Sequence, residues 1–90
     1  MKVRNLGGTG ARTCGCGSWL EHWERGSGQK ASACAACGKK ATVGGHVVKT
    51  DGYDRNHYIV PLCDGCNKRS DDFEIGTTPL VPANKEKTCK

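Results

Sequence analysis

The stretch "CAACGKKATVGGHVVKTDGYDRNHYIVPLCDGCN", residues 34–67, opens and closes on a Cys-x-x-Cys pair and carries two runs of β-type residues in between. Two residues between paired cysteines let both sulfurs face one ion from a tight turn, and Gly38 lets the backbone fold back beneath the first pair. Cys34, Cys37, Cys63 and Cys66 are therefore expected to supply a closed tetrahedral site for one Zn²⁺. Such a site is structural, because no position stays open to water. The competing reading, two pairs of buried or redox-active thiols, lacks the βαβ context of a redox C-x-x-C.

Between the pairs, "ATVGGHVVK" (41–49) and "HYIVPL" (57–62) read as two short strands joined by a loop containing Asp51-Gly52, with Gly44-Gly45 a bulge or a point of close approach. A tight turn at Gly44-Gly45 is the alternative, but it pairs strands of less similar length. After Pro61 a helix is expected to begin near Cys63 and run to about Phe73. Upstream, "GSWLEHWERG" (17–26) predicts a helix of about two turns: Ser18 and Glu21 have capping-box spacing, Trp19, Leu20 and Trp23 share one side, and Gly26 can end it. Its tryptophans would cover the core. Residues 77–90 read as an extended tail in which Leu80 and Val81 pack back.

The expected architecture is α+β: a flexible arm over 1–13, one zinc-binding domain over 14–84 with its core at 33–73, and a flexible tail over 85–90. A 90-residue chain buries only about 60% of its unfolded surface. With 36% hydrophobic and 6% aromatic residues, the core is thin and needs a staple. Structural zinc in small domains contributes roughly 10–16 kcal/mol of apparent binding free energy, so chelation is expected to unfold the chain.

Seven cysteines, an odd number, with no apolar run resembling a signal peptide, point to reduced thiols and a cytoplasmic setting rather than a disulfide scaffold. No segment approaches the roughly 20 apolar residues of a membrane span. Four thiolates around one Zn²⁺ lower the formal charge of +5 by two, to a mildly basic +3. That falls short of a dense cationic nucleic-acid patch.

The order of knuckle, hairpin and helix carrying the second pair resembles the treble-clef zinc finger over about residues 33–73. A treble clef with a histidine late in its first strand also resembles the HNH endonucleases. That resemblance implies His46 in "GGHVVK" as the base that activates water, and Asn67, directly after Cys66, at the family's final metal-binding position. The sequence departs from the pattern elsewhere. Gly45 stands where the family usually has an acidic or histidine ligand, Tyr58 stands where its middle Asn lies, with Asn56 two places early, and no proline follows His46. His57 is the candidate for the missing ligand. For His46 the competing role is packing on the strand face, and for His57 a solvent-facing position. The full arrangement, from "CGSWLEHW" to "LVPAN", is similar to small bacterial proteins that bring no established activity with them.

Cys14, Cys16 and Cys89, with His22, could complete a second zinc site. The Cys14-x-Cys16 spacing is unusual for zinc, and free thiols or a disulfide are the alternatives. A non-catalytic domain would be a recognition platform, expected to be monomeric. For DNA or RNA it offers Lys39, Lys40, Lys49, Arg55, Lys68 and Arg69, against the repulsion of Asp64, Asp71, Asp72 and Glu74. For a protein partner it offers the Trp19/Trp23 helix and the "PLVPAN" tail, although tryptophans so few are needed in the core.

Overall fold

The computed structural model describes residues 1–6, 19–50 and 56–83. The β-type runs pair as expected: β2 (Val43–Lys49) and β3 (Tyr58–Leu62) are antiparallel neighbours in a register from Val43↔Leu62 to Val47↔Tyr58. That register is unbroken through Gly44↔Pro61 and Gly45↔Val60, so the glycine pair is neither a bulge nor a turn. Pro61 fits because its carbonyl accepts from the Ala35 N–H at 2.8 Å, on the side away from β2. In a strand the N–H and C=O of one residue point the same way, so its missing donor interrupts nothing in the β2 ladder.

Three more strands complete a five-stranded antiparallel sheet in the order β4-β1-β2-β3-β5, where β1 is Lys2–Asn5, β4 is Phe73–Glu74 and β5 is Val81–Pro82. Alternation along the strands gives the sheet two distinct faces. On one face Val3, Val47, Val60 and Leu62 form a buried cluster with Phe73, Ile75, Cys34 and Cys66. On the other, Ile59 and Val81 pack against Trp23 of the helix α1 (Trp19–Ser27). The second helix, α2 (Asp64–Asn67), lies on the cysteine side with Cys63 as its N-cap.

Glycines set how closely these layers approach. A Cβ on Gly44 would stand 2.4 Å from the Trp19 carbonyl carbon, and one on Gly45 would stand 2.4 Å from Leu62 Cδ1. The adjacent glycines thus open opposite faces of one strand: Gly44 to α1, Gly45 to the α2 side.

The structure corrects several expectations. The arm expected over 1–13 begins with a strand: Val3 is fully buried, and β1 joins β2 to β4. The helix expected to reach Phe73 is a single turn. Its end is drawn into β1, because the Asn5 side-chain amide donates to the carbonyls of Cys66 at 2.8 Å and Arg69 at 3.0 Å. Asp71 and Asp72, weak helix formers, pair instead with Arg69 and Arg4, and Phe73 pairs with Val3 in β4. Helix α1 runs through Gly26 to Ser27 and ends where Gly28 takes φ 72°, a conformation that suits glycine at a helix terminus. Val81 packs back as expected. Ser18, the loop residues 51–55 with Arg55, Cys14, Cys16 and the tail with Cys89 lie outside the described residues. No helix among the described residues is long and apolar enough to cross a membrane.

Candidate metal centre

Each cysteine pair sits on a turn built by its own backbone. In the first, the Gly38 N–H donates to the Cys34 carbonyl at 2.9 Å while Gly38 adopts φ 81°, and the Cys34 N–H closes the knuckle on the Lys39 carbonyl. In the second, the Asn67 N–H donates to the Cys63 carbonyl at 3.0 Å and the Cys66 N–H approaches the Cys63 sulfur at 3.5 Å. The Ala35–Pro61 hydrogen bond ties the first knuckle to the strand that leads into the second.

All four Sγ atoms consequently lie within 4.8 Å of one another, with Cys37 and Cys63 3.6 Å apart. Tetrahedral Zn–S bonds of about 2.3 Å place sulfurs about 3.8 Å apart, so the cluster fits one four-coordinate ion. Among the described residues no other His, Cys, Asp or Glu side chains converge in this way. Cys34 and Cys66 are buried beneath the sheet, Cys63 is half-buried and Cys37 is exposed.

The electrostatics of the cluster call for a cation. Burial works against a Cys34 thiolate, but the backbone N–H groups of Cys63, Cys37 and Ala36 and the Cys37 thiol outweigh it and hold Cys34 down to about 6. The backbone and side chain of Cys66 hold Cys63 below its ordinary value. Cys66 itself is pushed up to about 12, by burial first and then by the three sulfurs beside it. A thiolate at Cys66 would be stabilised by positive charge inside the cluster, which is what a divalent ion supplies.

The remaining candidates are not assembled. His46 is 6% exposed, on the α1 face, and its ring meets Trp19 edge-on at 4.3 Å between centroids. Asn67 lies across the sheet, its Oδ1 2.9 Å from where a Gly45 Cβ would be. The base and the metal ligand implied by the nuclease resemblance therefore stand on opposite faces. His57 is exposed ahead of β3, where its carbonyl accepts from the Ala83 N–H at 3.0 Å. His22 is wholly buried, with Nε2 2.8 Å from the Pro82 carbonyl, so that nitrogen carries the proton. Its three proposed cysteine partners lie outside the described residues.

Sequence reasoning missed Asn5, which anchors the turn after Cys66 to β1. The alternation Lys2-Val3-Arg4-Asn5 signals a strand but not the contacts of its last residue.

Surface charge is distributed unevenly. Lys68 pairs with Asp64 at 3.0 Å and Arg69 with Asp71 at 2.6 Å, while Arg69 also stacks over Phe73. Lys30, Lys39 and Lys40 are exposed and make no ion pair among the described residues. Trp23, at 3% exposure, donates its indole N–H to the Pro79 carbonyl at 2.8 Å. Comparison with protein-family models, with curated proteins and with solved structures finds no match for the chain.

Proposed function

We propose that the chain is a treble-clef domain whose four cysteines hold one structural Zn²⁺, and that it serves as a monomeric, non-catalytic binding module for nucleic acid. The observation that carries the zinc reading is the convergence of Cys34, Cys37, Cys63 and Cys66 within 4.8 Å on two facing knuckles. Four sulfur donors with no place for water give the ion a structural rather than a catalytic task.

The nucleic-acid reading is supported by the knuckle side. Lys30 lines a cleft of about 280 Å³ together with Gln29, Ser32, Thr77 and Thr78. Lys40 pairs with Ala33, another of its lining residues, and Lys39 precedes it. Unpaired cations beside hydroxyls suit phosphate contacts, although Glu21 and Glu24 line the adjoining cleft with Lys30 and oppose them, whereas Lys68 and Arg69 are already paired with acids. The nuclease alternative needs His46 and Asn67 on one side of the sheet. The protein-partner alternative needs tryptophans that are exposed, and Trp23 is interior.

The test is metal analysis of the purified protein, followed by a backbone NMR titration with short oligonucleotides at low and high salt. One zinc per chain and salt-sensitive shifts at Lys30, Lys39 and Lys40, without Mg²⁺- or Mn²⁺-dependent cleavage, are expected. Absence of zinc sinks the structural reading, and absence of shifts at high micromolar concentration sinks the nucleic-acid reading.

A further inference from the structure

The four sulfurs of the cluster are unequal in access. Cys34 and Cys66 are 3% and 8% exposed under the sheet, whereas Cys37 is open to solvent and Cys63 partly so. The two accessible sulfurs come from different knuckles and lie 3.6 Å apart. From this asymmetry, and resting on the zinc reading above, we infer that Cys37 and Cys63 form an oxidative modification site: peroxide converts them to a disulfide that joins the two knuckles and ejects the zinc.

The chemistry balances in two steps. The Cys37 thiolate attacks one peroxide oxygen; an S–O bond forms, the O–O bond breaks, and with one proton a water leaves, so the sulfur becomes a sulfenic acid. The Cys63 thiolate then attacks that sulfur; an S–S bond forms, the S–O bond breaks, and the hydroxyl leaves with a second proton as water. One peroxide is reduced and two thiolates are oxidised. The sulfurs close from 3.6 Å to about 2.05 Å. Zinc, left with two ligands of four, departs.

Access selects both sulfurs: Cys37 is the exposed one, and Cys63, 3.6 Å away, is the other that solvent reaches. Cys34 and Cys66 are shielded from a water-borne oxidant, so oxidation begins at the rim of the cluster. Susceptibility to oxidation rises with exposure, and Cys37 alone of the four is exposed.

The sequence makes the product easy to identify. Trypsin cleaves after Lys30, Lys39, Arg55 and Lys68, so Cys34 and Cys37 fall in one peptide, 31–39, and Cys63 and Cys66 in another, 56–68. A disulfide between knuckles links those two peptides, and a disulfide within a knuckle leaves them separate.

The experiment treats the zinc-loaded full chain with hydrogen peroxide in the presence of a chromogenic zinc chelator. Alkylation, tryptic digestion without reductant and mass spectrometry follow. The expected result is about one zinc released per peroxide consumed at the site, a linked 31–39/56–68 product whose fragmentation places the bond at Cys37 and Cys63, and recovery of zinc binding after reduction. Zinc release with only intrapeptide disulfides, or retention of zinc under excess peroxide, overturns the inference while leaving the zinc reading intact. A protein with no zinc before peroxide is added overturns the zinc reading itself, and the inference with it.

Discussion

Replacing Gly44 by alanine tests the two-faced sheet most directly. The new Cβ would stand 2.4 Å from the Trp19 carbonyl carbon, 2.6 Å from its oxygen and 2.5 Å from the Leu20 nitrogen, all backbone atoms that no rotamer change can move. Ordinary contact begins near 3.4 Å, so α1 must retreat by about 1 Å. A gap of that size forfeits roughly a quarter to a half of the dispersion attraction across it. It also strains the His22–Pro82 and Trp23–Pro79 hydrogen bonds, both 2.8 Å. Overpacking costs about 1–3 kcal/mol, and a backbone clash belongs at the upper end. Reduced freedom of the unfolded chain returns about 0.4–1 kcal/mol, leaving a net loss of about 2 kcal/mol. With a urea m-value of about 1 kcal/mol/M for a small chain, the midpoint should fall by about 2 M. The assay is urea unfolding at a fixed excess of zinc, followed by the fluorescence of Trp19 and Trp23, both in α1. Gly45→Ala is the control: its Cβ meets the Leu62 side-chain tip and Asn67 Oδ1, which can rotate, so the loss should be about 1 kcal/mol. If Gly44→Ala is as stable as the parent, or milder than Gly45→Ala, the close docking of α1 on β2 is wrong.

Other perturbations probe the opposite face. Cys63→Ser should abolish stoichiometric zinc binding and the cooperative thermal transition together; a folded, zinc-replete variant would contradict the four-cysteine assignment. Asn5→Ala leaves the Cys66 and Arg69 carbonyls without their donor and should cost about 1–3 kcal/mol, read as a lower urea midpoint with zinc still bound. Acid should release zinc and unfold the chain in one transition. Cys34 lies below its ordinary 9.0, so its contribution is complete above that value and is lost as pH falls through about 6. Cys66, pushed up to about 12, works in the opposite sense and favours the protonated thiol wherever no cation is present. The zinc-loaded transition should therefore sit on the acid side of about pH 6, and release above pH 7 or without loss of circular dichroism would refute the linkage. His46→Ala should leave zinc content unchanged, since the ring lies across the sheet from the cluster; loss of zinc in that variant would contradict the placement.

The parts legible in the sequence were those with local signals. Cysteine spacing marked the cluster, β-type runs marked β2 and β3, and tryptophan spacing marked α1. The missing parts depend on partners distant in the chain. β1 carries a period-two pattern of only four residues, and its partners lie at 47–49 and 73–74. No local window reveals that Phe73 leaves a helical setting to meet Val3, or that Asn5 caps the turn at Cys66 and Arg69. Gly26 carried a stop signal whose actual work is different: a Cβ there would meet Val81 Cγ1, while the stop falls at Gly28.

The sequence "GGH" shows how packing can reproduce part of a catalytic outline. Read as a nuclease fragment, Gly45 is a lost metal ligand and His46 a surviving base. In the fold, Gly45 is the space into which Leu62 and Asn67 fit, and Gly44 is the space that admits the α1 backbone. His46 follows Gly44 by two residues, so strand alternation places it beneath the same helix, where Trp19 covers it. A ligand restored at position 45 would point toward Leu62 and Asn67 and away from His46. Bringing His46 to the Asn67 side would require the strand to slip by one residue, which would carry position 45 to the α1 side and exchange Val47 for Val48 in the buried cluster. The packing that holds the cysteine cluster under Val47 and Val60 therefore keeps His46 and Asn67 apart. The glycines and the histidine are accounted for by a thin sheet that must be closely covered on both sides.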